Sequence, residues 1–460
     1  MHYPIWNMPL LGGALVIAGI SIFHVIIAHF AIGAGIFNVF TEIRARRRGD
    51  SALLQFVKDN SIFLIYLAFV AGAVSGVGIW FTIGVVAPEA TTYLIRLFFW
   101  IWAIEWVFFL LELASGYIYY YTWDRLSPRM HVAVGGIYAI TAFMSLVMIN
   151  GILTFMLTPG EYLSSGNIWD AWLNPSFWPS LWIRTVSALA LAGVFVAIVA
   201  SGRKGTKDDP DRARIVAWGA RFLLPLGLMP LLAVWYFSTI PETARSLALG
   251  GAVAMTFIFA FGVIMSFLIA VYAYFGMLRK ARNINLETAL LMAAIAFIAT
   301  GSMEFVREGI RKPYVLMNIM YSNGIQVAEA AKLNQEGVLA NAAWVTPDTT
   351  KYSGDVAVGE AVYRTQCLRC HEVEGYNAMT PLVRNWNRPL IMSALDHLDR
   401  IKVFMPPFIG TQREKQALGS YLLTLAMPDS AWNSTPADTL LQSVPDTIEI
   451  GTDVNGGTEP

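Results

Sequence analysis

Long apolar runs separated by short polar turns fill roughly the first two thirds of this 460-residue chain. About 20 apolar residues cross a hydrocarbon core, and tilted helices run longer. On that basis the pattern predicts spans near 9–41, 61–87, 93–121, 131–157, 180–200, 215–238, 249–277 and 286–307, eight in all. Small residues recur inside the runs, as in 71–78 (AGAVSGVG), and allow helices or a cofactor to approach closely. Beyond residue 311 the pattern changes to short amphipathic stretches, with helices expected over 359–364 and 414–425. The last stretch, 429–460, has six acidic residues, no Lys or Arg, and much Pro, Gly, Ser and Thr, so a disordered acidic tail is expected. The expected fold class is all-α: a polytopic membrane helix bundle of about eight transmembrane helices, plus a small all-α domain. The boundaries are 1–311 for the membrane domain, 312–350 for a connector, 351–428 for the small domain and 429–460 for the tail.

Charge adds direction to this pattern. Only 14% of residues are charged and 56% are hydrophobic, against about 25% charged in soluble domains. The net charge is zero, so no nucleic-acid partner is expected. Basic residues gather in the turns after odd-numbered spans: Arg44 to Arg48, Arg125 to Arg129, Arg203 to Arg214, and Arg279 to Arg282. Turns after even-numbered spans, such as 159–179 and 239–247, carry few. The positive-inside rule then places both the N-terminus and the small domain on the periplasmic side. A multi-pass protein of the bacterial cytoplasmic (inner) membrane is expected. The start, MHYPIWNMPLLGG, lacks a basic region and a small-residue cleavage site, and reads as the beginning of the first span.

The chemistry of the small domain follows from its two cysteines. Residues 366–371, Gln-Cys-Leu-Arg-Cys-His, form a C-x-x-C-H haem attachment site. Cys367 and Cys370 add across the haem vinyl groups, and His371 ligates the iron. Downstream, Met405-Pro406-Pro407-Phe408 precedes the amphipathic helix, and this order resembles a class I cytochrome c with Met405 as distal ligand. Met379 and Met392 are rival distal ligands, without the following Pro-Pro. A zinc site is the competing reading, and it lacks a third cysteine. His397 reads as a surface or packing residue. A covalent haem c is the expected cofactor.

Inside the membrane, ionisable groups are costly unless paired or functional. The first span carries His24 and His29, about 140° apart around the helix. His24 shares its face with the small residues Ala28 and Ala31 and is a candidate iron ligand; His29 is either a second metal ligand or a packing residue. Glu105 and Glu112 are seven apart on the third span, hence on one face. They are candidates for catalytic proton transfer, for a haem-facing role, or for a protonated, hydrogen-bonded pair. The eighth span ends in Glu304, Arg307, Glu308 and Arg311, where local ion pairs compete with a cofactor role.

Taken in order, these residues resemble subunit I of the cytochrome bd oxygen reductases. Phe23-His24 with Gly33 falls in the context of the first-helix haem ligand. Glu105 and Glu112, then Ala-Ser-Gly-Tyr and Trp123-Asp124-Arg125-Leu126, resemble the third helix, with a pair spacing one residue shorter than the family's. Asn150-Gly151 matches the end of the fourth helix, and Glu308-Gly-Ile-Arg311-Lys-Pro313-Tyr314 resembles the signature whose glutamate ligates the second active-site haem. Two features depart from the pattern. Arg184, before Thr-Val-Ser-Ala, stands where the family has its low-spin haem histidine, and the long quinol-binding loop is missing.

The resemblance implies two non-covalent haems of b or d type, cofactor-binding roles for His24, Glu308 and Arg311, and a second membrane subunit as partner. The expected function is a bd-like terminal oxidase subunit, taking electrons from a periplasmic donor such as a cytochrome c through haem c to membrane haems that reduce O2 to water. The alternatives are a non-oxidase electron-transfer subunit of a larger respiratory complex, and a haem-free membrane anchor for the cytochrome.

Overall fold

The computed structural model describes residue 3 and residues 6–203 and 209–427; the expected tail at 429–460 lies outside the described residues. Among the described residues, eight helices are long and apolar enough to span a membrane: Gly13–Arg48, Ser51–Val86, Phe99–Tyr121, Pro128–Phe155, Phe177–Gly202, Pro210–Thr239, Val253–Leu278 and Leu286–Gly309. Their outward faces carry Val77, Trp100, Leu231 and Phe257, all exposed, as suits a surface solvated by lipid. A chain of this kind is a multi-pass membrane protein.

Several boundaries differ from the hydropathy pattern, for local reasons. The first span continues to Arg48, because Arg46 turns back onto Glu42 and Arg44 lies over the Trp218 ring. Asp50 then caps the second span by accepting from the Leu53 amide at 3.0 Å, so that helix starts at Ser51. The range expected for the third span breaks at the fully buried Phe98, with a separate helix, Pro88–Leu97, before it. In the sixth span a 3-10 segment, Arg221–Leu228, surrounds Pro225, which has no amide proton for the helix ladder. The second span is π-helical over Ile65–Gly72, a geometry that often marks functional sites.

The first and fifth spans cross at Gly33. A side chain there would meet the Ala188 carbonyl oxygen at 1.9 Å, so only glycine permits the approach. Around this crossing, Ala190, Ala192, Val194 and Ala197 form the main membrane core with Phe37, Phe56 and Leu223.

The small domain sits at the end of the bundle opposite the basic turns. Its helices Gly354–Gln366 and Gln412–Ala426 pack through Val362, Tyr363, Leu418 and Tyr421, with Ile391 and Leu395 from Arg388–Asp396. The last helix opens with a capping box: the Thr411 hydroxyl accepts from the Glu414 amide, and the Glu414 carboxylate accepts from the Thr411 amide. The stretch expected as a connector is ordered against both neighbours. Tyr314–Leu316 and Met320–Tyr321 form an antiparallel hairpin, and the Met317 amide donates to the carbonyl of Met156, the residue that caps the end of the fourth span. Ile325, Leu333 and Val338 then join the small domain's core, and buried Glu414 accepts from the Val338 and Leu339 amides.

Candidate functional site

The motif at 367–371 closes a turn behind the helix Gly354–Gln366: the Cys370 and His371 amides both donate to the Cys367 carbonyl. The two cysteines are unpaired, and burial pushes the Cys367 thiol up to about 12. His371 Nδ1 lies 3.1 Å from the Asn377 carbonyl, an acceptor only, so this nitrogen carries the proton and Nε2 keeps its lone pair. A backbone carbonyl fixing the tautomer from behind is how ligating histidines are oriented. These residues fit a covalent haem.

Among the methionines, Met392 lies against Gly419 and Met379 packs on the domain core, so both are engaged in packing. Met405 is half-buried at the end of a turn closed by its amide on Lys402, and lies outside that core. His397 bonds its own helix, Nδ1 to Ser393 O at 3.0 Å. Among the described residues no three His, Cys, Asp or Glu side chains converge on a metal-ion site, which leaves the zinc reading without a ligand set.

In the membrane domain, His24 faces the second span. The Ser75 hydroxyl gives its proton to the Ala71 carbonyl at 2.7 Å, so its oxygen accepts from His24 Nδ1 at 3.0 Å. That fixes the tautomer with a free lone pair on Nε2, the form an iron ligand needs. His29 donates from Nδ1 to Val25 O at 2.7 Å, while its Nε2 is buried without a partner, within electrostatic reach of Arg184 and Glu304. An orphaned imidazole nitrogen in an apolar bundle calls for a ligand or a proton donor.

The local pairs anticipated at the end of the eighth span are formed. Glu304 bonds Arg307 at 2.7 Å and lies 3.9 Å from Arg184, which is buried and also donates to Ser180. Glu308 pairs with Arg311 and, at 3.4 Å, with Lys312; its side chain is 46% exposed and keeps room for another contact. Arg311 is buried, with Nη1 against Met156 Sδ.

Glu105 and Glu112 belong to a longer arrangement that their spacing only half disclosed. Residues 105, 112 and 119 of the third span face residues 145, 138 and 131 of the antiparallel fourth span. Glu105 accepts from Ser145 at 2.8 Å, Glu112 lies within electrostatic reach of Tyr138, and the Tyr119 ring lies 4.4 Å from His131. A seven-residue step advances about 10 Å along each helix and turns it by about 20°, so the rungs form one column. At the basic end the column meets Glu42, whose fully buried carboxylate accepts from Tyr119 (2.7 Å), His131 (2.8 Å) and Arg46 (2.7 Å). The other His131 nitrogen faces the Tyr119 carbonyl at 2.9 Å. Glu42, Tyr119 and His131 escaped the sequence reading. The one available signal was Glu42 itself, an acid four residues before Arg46 at the end of an apolar run.

Comparison with known proteins agrees with this picture. Residues 15–240 match the family of cytochrome bd terminal oxidase subunit I, and residues 354–422 match cytochrome c oxidase, cbb3-type, subunit III. The solved structure of bd oxidase from Geobacillus thermodenitrificans aligns with a TM-score of 0.58, covering 66% of this chain and 87% of that chain at 15% identity. That degree of identity speaks for the fold. No curated protein matches the chain. The protein is therefore a haem-bearing bd-type oxidase subunit with a c-type cytochrome on the same chain. By its membrane part the chain belongs to the cytochrome bd terminal oxidase subunit I family, and it extends that family with a fused cytochrome c domain.

Proposed function

We propose that this chain is the oxygen-reducing subunit of a bd-like oxidase that takes electrons from a periplasmic donor through its cytochrome c domain, in place of quinol. The observation that carries this reading is the seating of the cytochrome domain. Both loops with predicted iron ligands lie against the membrane domain: the loop after His371 pairs with residue 10, and Phe404, next to Met405, packs against the buried apolar cluster that contains Leu157, Ile240 and Ile310. Two further features support it. Residues 240–252 leave no length for a long quinol-binding loop between the sixth and seventh spans, and buried, always-charged Arg184 stands where the resemblance expects the low-spin haem ligand.

Haem, when bound, would supply a one-electron relay in the cytochrome domain and the chemistry of O2 reduction in the membrane domain. Cys367, Cys370, His371 and Met405 would hold the covalent group. His24 Nε2 and the Glu308 carboxylate would hold the membrane haems, with His29 available beside them and Arg311 neutralising Glu308. Reducing one O2 to two waters consumes four electrons and four protons. The column Glu42–Tyr119–Glu112–Glu105 would conduct those protons from the basic, cytoplasmic end. Glu42 and Tyr119 are in direct contact at 2.7 Å, but the steps on to Glu112 and Glu105, about 10 Å each, exceed a direct proton hop, so water must bridge them. A second membrane subunit, expected from the family, would cover part of the lipid-facing surface.

The test is O2 uptake by the purified protein with a reduced soluble cytochrome or an artificial one-electron donor, alongside a reduced spectrum with and without CO. Uptake inhibited by CO, and lost in Cys367→Ala/Cys370→Ala, is expected. A CO-insensitive spectrum would leave the electron-transfer subunit and the haem-free anchor, which the ratio of non-covalent haem to haem c then separates. Brisk quinol oxidation by a chain lacking residues 351–428 would remove the proposed electron route.

A further inference from the structure

Arg369 is one of the two variable residues of the C-x-x-C-H motif, and a solvated side chain is the ordinary expectation for it. Here it is buried. Its guanidinium pairs with Glu89, in the first turn of the helix Pro88–Leu97 that joins the second and third spans, and the two side chains are only 5% and 8% exposed. The partners are 280 residues apart and belong to different domains. The ion pair is also roofed: Gly324, with φ +85°, lies so close that a Cβ there would stand 2.3 Å from Arg369 Nη1. Below it, Ala90 packs with Leu316 and Met320 of the hairpin. The membrane domain, the connector and the haem-attachment loop therefore meet at this guanidinium.

We propose that the Arg369–Glu89 pair is a positioning device, which sets the register of the haem-attachment loop on the membrane domain and thereby the internal electron-transfer rate. This rests on the electron route proposed above. The physical case is one of specificity against stability. Taking both charges out of water costs several kcal/mol per ion, and an apolar pair of similar volume would bind as well or better. An apolar contact tolerates sliding; a buried cation with one carboxylate partner does not, because any shift strands a charge. Other contacts attach the domain without being so demanding: the Tyr376 amide donates to the Leu10 carbonyl at 2.7 Å, and Phe404 sits in an apolar cluster. These supply adhesion, and the ion pair supplies register. Electron tunnelling falls off steeply with distance, so register is what the transfer rate senses.

The experiment compares full-length wild type, Glu89→Gln, and the apolar double variant Glu89→Leu/Arg369→Met, each checked for covalent haem by haem staining. Two quantities are read: amide hydrogen exchange of residues 367–376 and 6–12, and reoxidation of pre-reduced haem c after mixing with O2. Glu89→Gln should raise exchange in both segments and slow reoxidation at least about tenfold, equivalent to about 1.4 kcal/mol. The double variant should unfold at the temperature of wild type or above it, yet keep the slow reoxidation. If the double variant reoxidises at the wild-type rate, the pair is mere adhesion and the proposal falls. Unchanged exchange and rate in Glu89→Gln would overturn it equally. If wild-type haem c is not reoxidised by O2 at all, the oxidase reading fails instead. Exchange then still decides the docking role, with unchanged protection in Glu89→Gln refuting it.

Discussion

Replacing Glu42 by Gln tests the buried cluster at the basic end of the column. The carboxylate accepts three bonds, from Arg46, Tyr119 and His131, all at 2.7–2.8 Å and all closed to solvent at the glutamate. Bonds to a charged group contribute about 1.5–3 kcal/mol each. An amide oxygen at the Oε1 position keeps both donors that share that atom, Arg46 and His131, while the amide nitrogen at the Oε2 position meets the Tyr119 hydroxyl as a donor. What is lost is the charge: the Arg46 guanidinium and the His131 ring are left on a neutral oxygen, and the Tyr119 bond must reverse. The expected cost is about 3–5 kcal/mol, as for removing one partner of a buried ion pair. Arg46→Gln provides the scale: Arg46 is 23% exposed and reaches solvent, so its loss should cost about 1 kcal/mol or less. Both variants can be unfolded in mixed micelles by denaturing detergent and followed by tryptophan fluorescence, since Trp123 lies 4.2 Å from the His131 ring. If Glu42→Gln is no less stable than Arg46→Gln, the carboxylate is not the hub described here.

Four further outcomes are expected. Cys367→Ala/Cys370→Ala should abolish the haem-stained band on a denaturing gel and leave the membrane helices folded, because the two cores are separate clusters. Met405→Ala should remove the weak sulfur-to-iron absorption at the red edge of the haem c spectrum; an unchanged band would move the ligand to Met379 or Met392. His24→Ala should lose one non-covalent haem and all CO-sensitive absorbance while haem c stays reducible, and Ser75→Ala should lower haem affinity about 10- to 100-fold by freeing the imidazole tautomer.

The eight spans were legible because the bilayer imposes one length and one polarity on every crossing helix. Their ends were less so, since ends obey side chains instead: Asp50 as a cap, Arg44 on an indole, Phe98 as a plug. The haem c motif was fully legible, being contiguous. The Glu105–Glu112 pair was visible through its spacing on one helix, but its continuation through Tyr119 to Glu42 was not. That cluster joins residues 77 and 89 positions apart, and no local period links them. Arg369 was invisible for a different reason. In its motif any residue is permitted, and only the folded chain brings Glu89 to it.

The column between the third and fourth spans has a genetic consequence. Its rungs are set by two helices that each repeat every seven residues in opposite directions, so every rung shares one alignment. Substitutions can alter the rungs one at a time. A single-residue insertion or deletion in either helix turns everything beyond it by about 100° and carries the following rungs off the shared face together. Within 105–119 and 131–145, divergence should therefore proceed by exchange of residues at constant length, with changes in length confined to the turn between them.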